Sequence, residues 1–251
     1  MTWRSKAVEE TLSVADEVLV EGGIVPHLRG LNAVMFFPRL IRTAKNPDGA
    51  KLADVLPQTL YERFSVLKAK YAPNDGRIER LRPVFAAETL SASATGTAGL
   101  SSTGVIPQVV KLAKKHRRKI TRVETDAGDA TALLTNVRQR PTTGCLETTI
   151  RVLEADLEVT KARANAWAVG DLETLRKMAE PADWDQFPAE LFGAERWDEL
   201  NAQHTDAWLS AVERALERNR TTFAALNMRQ LLQPDGWLTT LRDMGLTVEE
   251  P

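Results

Sequence analysis

Three times along the chain an amphipathic helix pattern leads within a few residues into a short apolar run that ends on a glutamate. In the first unit Val8, Leu12 and Ala15 share one helical face, and Asp16-Glu17 precedes Val18-Leu19-Val20, closed by Glu21-Gly22-Gly23. The second follows Pro107. There Val109, Val110, Leu112 and Ala113 lead through the basic run 114–119 into Ile120-Thr121-Arg122-Val123 and Glu124. The third closes the chain: Trp237, Leu238 and Leu241 on a short helix, Gly245 at its C′ position, then Leu246-Thr247-Val248 and Glu249. Parallel strands need crossover elements between them, so repeated helix-to-strand units predict a helix-rich α/β fold with a mixed or largely parallel sheet. One domain over 1–251 accommodates all three units.

Longer helical patterns lie between the units. From 148 to 167, Ile150, Leu153, Leu157, Ala164 and Trp167 fall on one side; Gly170-Asp171 interrupts the pattern, and Asp171 is placed to cap a second helix through Leu175 and Met178. Residues 183–196 read as turns or short helices. The longest helix is expected over about 200–233, with Val212, Leu216, Phe223 and Leu226 as its apolar stripe. Residues 86–104, AAETLSASATGTAGLSSTG, are nearly all small and offer little side-chain area for anchoring, so this segment is expected to be a flexible loop.

Composition removes several function classes. Lys plus Arg number 33 and Asp plus Glu 34, so no global field draws the chain to nucleic acid or to an anionic membrane, and any basic site must be local. No apolar run is long enough to span a bilayer, and the first ten residues lack the apolar stretch of a secretory signal; as written the chain reads as cytoplasmic, with export expected only if an upstream signal peptide precedes it. Cys145 is the single cysteine, which excludes an intramolecular disulfide. The three histidines, His27, His116 and His204, show no H-x-x-x-H spacing. The phosphate-cradling, dinucleotide, serine-hydrolase and zincin motifs are all missing from the sequence.

Residues of interest remain. Glu21 and Glu124 each end an expected strand, the edge where open α/β sheets collect ligands; if their strands are neighbours the two carboxylates converge on a metal or form an acid–base pair, and otherwise each meets solvent or an arginine. His27 lies just beyond the first of these strand ends. Asn219 falls on the stripe of the long expected helix, where a buried amide must be paired, and Arg218 flanks it; the pair presents a cation and an amide to a cleft, or Asn219 ties two helices together, or the helix is rotated so that the amide meets solvent. The basic run at 114–119 reads as a solvated helix end complementing the helix dipole.

Several stretches together resemble the TraB/GumN family, which also includes PrgY-like proteins and the Tiki proteases. They are A-D-E-V-L-V-E at 15–21, R-V-E-T at 122–125 after its basic helix, A-W-A-V-G-D-L at 166–172, E-R-N-R at 217–220 and L-R-D-M-G-L-T-V at 241–248, in family order over most of the chain. The resemblance implies a mixed α/β fold and, by extension from the Tiki members, a metal-dependent peptidase. In that reading Glu21 is a ligand or general base, Arg218 and Asn219 position substrate or stabilise negative charge, and a divalent metal is the cofactor.

The family chemistry uses two G-x-x-H motifs, one on a strand before A-D-E-V-L-V-E and one after the E-R-N helix. Neither is present here, and 233–237 leaves no room for a strand and a second motif between the long helix and the last one. Two readings follow: a shortened or degenerate metal-dependent peptidase, or a non-enzymatic module that binds a peptide or protein partner at the strand ends. The second leaves strand edges exposed and favours homo-oligomerisation.

Overall fold

A computed structural model describes residues 6–27, 31–100, 104–140, 143–155, 157–178, 186–232 and 236–249. The chain opens with α1 (Lys6–Val14) and β1 (Glu17–His27), then passes through α2 (Leu31–Thr43), α3 (Leu52–Val55), α4 (Gln58–Tyr71), α5 (Pro83–Thr97) and α6 (Ile106–Lys115) to β2 (Lys119–Asp129). Next come α7 (Ala130–Gln139), α8 (Thr143–Glu154), α9 (Leu157–Val169), α10 (Leu172–Lys177), α11 (Gln186–Phe192) and α12 (Ala194–Arg218). The described chain ends with β3 (Thr222–Ala225), α13 (Met228–Leu232) and α14 (Trp237–Asp243). The strands form one parallel sheet in the order β2-β1-β3, as the helix-to-strand units require.

Alternation along β1 sends its apolar residues to two sides. Val18 and Val20 pack with Leu12 of α1 and with Val109 and Ala113 of α6. Leu19, with Val123 of β2, packs on Trp208, Ala211 and Ala215 of α12 and on Trp237 of α14. The sheet is thus the middle of three layers, with Val18, Leu19 and Val20 all at most 1% exposed. A separate helical core gathers Phe64 of α4, Leu90 of α5, and Leu146 and Ile150 of α8.

Four expectations are corrected. Residues 86–104 do not form a flexible loop: 86–97 belong to α5, whose Ala86, Ala87, Leu90 and Ala94 are buried, while 101–103 lie outside the described residues. Small side chains let α5 lie close against α8, and the hydroxyls of Thr89, Ser93, Thr95 and Thr97 donate to the carbonyls four residues back. The long helix stops at Arg218, and Phe223 and Leu226 belong to β3 and the turn after it. A strand therefore does follow the E-R-N helix. The 148–167 pattern is two helices, α8 and α9, and residues 246–248 form no strand, so the third parallel strand comes from α12–β3 instead.

Other expectations match. Asp171 caps α10 by accepting from the Thr174 N–H at 2.9 Å. Gly245, at φ +82°, ends α14, and the Leu246 N–H donates to the Leu241 carbonyl at 3.1 Å.

Candidate functional site along the central strand

β1 carries three polar stations, at its start, middle and end. At the start, Glu17 is 1% exposed and fully engaged. Its Oε1 accepts from the Thr121 hydroxyl at 2.5 Å and lies 2.9 Å from Lys119 Nζ. Its Oε2 accepts from Asn219 Nδ2 at 2.8 Å and from Arg218 at 3.4 Å. Burial alone would push this carboxyl up; the hydrogen bonds from Thr121, Asn219 and Lys119 outweigh it and hold the pKa at about 2, against an ordinary 4.5. Next to it, the Asp16 carboxylate accepts from the Arg220 and Thr221 N–H groups, both at 3.0 Å. The A-D-E and E-R-N-R stretches are therefore two halves of one clamp joining β1 to the α12–β3 turn.

In the middle, Glu21 faces α12, where its Oε1 lies 3.5 Å from His204 Nε2. His204 is buried, and its Nδ1 shares a 2.9 Å hydrogen bond with the Thr125 hydroxyl of β2. Register explains the grouping: Glu21 is opposite Val123 and so shares the α12 face with it and with Thr125. Glu124, one residue along, takes the opposite face and lies over Gly22, where any Cβ would collide with it.

Gly22 is the extra residue of a bulge, since Glu21 pairs with Val123 and Gly23 with Glu124. Gly23 follows at φ +79°, a conformation that favours glycine. These glycines bend the strand rather than close it. Glu21 and Glu124 accordingly sit mid-strand rather than at strand ends and, although their strands are neighbours, on opposite faces. At the end of β1, His27 Nε2 meets Asp126 Oδ2 at 2.6 Å, a partner that no local pattern announces.

The structure thus brings Arg218 and Asn219 together but not with Glu21, since four residues of strand, roughly 13 Å, separate Glu21 from the Glu17 they hold. Sequence reasoning missed Glu17, whose carboxylate the clamp closes on, and His204, which sits on the buried stripe Leu200-His204-Trp208-Ala211-Ala215. A stripe read through alanines finds it. The basic run at 114–119 is more than a solvated helix end: Lys115 lies 2.6 Å from Glu9 of α1, and Arg118 donates to the Ser13 carbonyl.

The family model for TraB/PrgY/gumN matches residues 1–250. The chain belongs to the TraB/PrgY/gumN family. No curated protein and no solved structure matches it.

Within this family member the resembling stretches have definite structural jobs. A-W-A-V-G-D-L is a helix stop and start, with Gly170 at φ +76° ending α9 and Asp171 opening α10. After β3, Gln230 of α13 accepts from the Trp237 indole at 3.2 Å. No group of three or more His, Cys, Asp or Glu side chains suited to a metal ion occurs among the described residues. Glu21 and His204 supply one carboxylate and one imidazole, and the other imidazole nitrogen is engaged by Thr125. This donor set does not fit the divalent metal that the resemblance implies.

Proposed function

We propose that this chain is a binding protein that takes up an extended, cationic peptide segment along the edge of β1 over residues 21–27. The observation that carries the reading is the mismatch in strand length. β2 pairs with β1 from Glu17 to His27, whereas β3 pairs only from Glu17 to Val20. Beyond Val20, no strand among the described residues pairs with β1 on the β3 side, and an extended segment added there would complete the ladder, as in strand-addition complexes. Pro26, which has no N–H to donate, suits such an edge.

Charge supports a cationic occupant. Residues 21–27 and 123–129 hold Glu21, Glu124, Asp126 and Asp129 and no lysine or arginine. Lysines on alternate positions of an incoming strand project to one face, where they meet the carboxylates that the ribbon carries on that face.

The test is binding of a fluorescein-labelled peptide of alternating valine and lysine, compared with the same peptide N-methylated at every second amide. Saturable binding that N-methylation abolishes supports strand addition. Equal binding of both peptides, or no saturable binding to millimolar peptide, overturns it. Cleavage of the peptide on addition of manganese, cobalt or zinc, lost in Glu21→Ala, would replace this reading with the hydrolase.

A further inference from the structure

α2 departs from the usual arrangement of a surface helix, because its apolar side faces out. Val34, Met35, Phe37 and Ile41 are 72, 48, 63 and 62% exposed, and Val34, Phe37 and Ile41 recur at steps of three and four along one stripe. Phe36 is partly buried and edge-on to Phe37, with ring centroids 5.8 Å apart, which steadies the outward ring. The helix is held from behind by α7. Exposed single apolar residues are ordinary; four on one short helix are a surface of a particular kind.

We infer that α2 is an interfacial helix that seats the protein on an anionic lipid surface. Two features of the helix choose this occupant over a second copy of the chain. The first is charge: α2 contains Arg39 and Arg42 and no acidic residue; both arginines are exposed, and at about 100° per residue Arg42 stands next to the apolar stripe while Arg39 stands beyond Met35, towards the α7 side. Asp129 lies within Coulombic reach of Arg39 and offsets part of its charge, which leaves Arg42 as the stronger attraction to lipid phosphate. Two copies meeting through this stripe would bring the two Arg42 guanidinium groups against each other. The second is area. One face of a helix of 13 residues falls well short of the roughly 800 Å² per partner that a stable protein interface buries, whereas an interfacial helix binds by modest apolar burial plus attraction to anionic headgroups.

The backbone suits a shallow depth. Pro38, inside α2, has no N–H for the Val34 carbonyl, and that group needs the water present at headgroup level rather than hydrocarbon. α2, at 13 residues, is too short to span a bilayer, so the seat lies in the interface plane.

The experiment is flotation of the full chain with phosphatidylcholine vesicles and with vesicles in which one third of the lipid is phosphatidylglycerol. Wild type should float with the anionic vesicles and be released by high salt. Phe37→Ser with Ile41→Ser, and separately Arg39→Gln with Arg42→Gln, should each reduce the floated fraction at least about tenfold. All four positions are exposed, and circular dichroism confirms folding of each variant. The inference is overturned if wild type stays unbound with anionic vesicles, if either pair floats as well as wild type, or if the lipid-free protein sediments as a dimer that Phe37→Ser with Ile41→Ser dissociates.

Discussion

Asn219 and Glu17, separated by 202 positions in the chain, are joined by a 2.8 Å hydrogen bond at the start of the central strand. The amide ends α12, with its backbone N–H donating to the Ala215 carbonyl, and its side chain also donates to the Thr222 hydroxyl at 3.0 Å. One residue thus terminates the helix, starts β3 and satisfies a buried carboxylate. Asn219→Ala removes a donor from an ionised, buried group and should cost about 2–3 kcal/mol, a fall in melting temperature of very roughly 4–12 °C for a chain of this size. Asn219→Asp, which sets a second carboxylate against Glu17, should be worse. Thermal unfolding of the three proteins checks the order.

The clamp also fixes a pH dependence. Glu17 has a folded pKa of about 2, below its ordinary 4.5, so the folded state favours its ionised form. That contribution is complete above about pH 4.5 and is lost as pH falls through the folded value near 2. Other carboxylates titrate in the same window, so the informative quantity is the stability of wild type minus that of Glu17→Gln. This difference should be flat from pH 5 to 7 and shrink as pH falls from 4.5 towards 2, read from urea unfolding at each pH.

His204 and Thr125 are both buried, and their 2.9 Å bond joins α12 to β2. Thr125→Val keeps the shape and leaves Nδ1 of His204 without this partner, at an expected cost of about 1–3 kcal/mol. A double-mutant cycle with His204→Leu should return a coupling of about 0.5–3 kcal/mol. Additive losses would contradict the contact.

Gly22 should tolerate no side chain. A Cβ there would stand 3.0 Å from the Val123 carbonyl oxygen and collide with Glu124 Cγ. Gly22→Ala is expected to lose about 1–3 kcal/mol. Glu124→Ala in the same chain should restore part of it, since the side-chain clash then disappears while the backbone contact stays.

Much of this architecture is written locally. Lys6–Val14 into Glu17–His27, and Ile106–Lys115 into Lys119–Asp129, follow directly from helical period passing into β-branched runs. The boundary at Arg218 is hidden because Val212, Leu216, Asn219, Phe223 and Leu226 keep helical steps even though the last three lie beyond the helix; Leu216, inside it, is 51% exposed. The side that α12 truly buries runs through Ala211 and Ala215, whose small side chains bring the helix close to the sheet and give a weak hydrophobic signal. α5 is concealed for the same reason. At the site, Glu21 and His27 stand out by their place on β1, but the pairings Glu17–Asn219 and Glu21–His204 are products of register and of the long return of α12, which no short motif encodes. Glu124 is separated from Glu21 by strand alternation, which becomes decisive only once the bulge at Gly22 is known.

The open edge of β1 is tested most directly by amide hydrogen exchange along Glu17–His27, with and without saturating valine–lysine peptide. Exchange should be slow at 18–20 in both states, because β2 and β3 flank those residues. In 21–27 the amides facing away from β2 should exchange faster and be slowed at least about tenfold by the peptide. Equal protection across the whole strand in the free protein, or no slowing at 21–27 when peptide is bound, would contradict an open, peptide-binding edge.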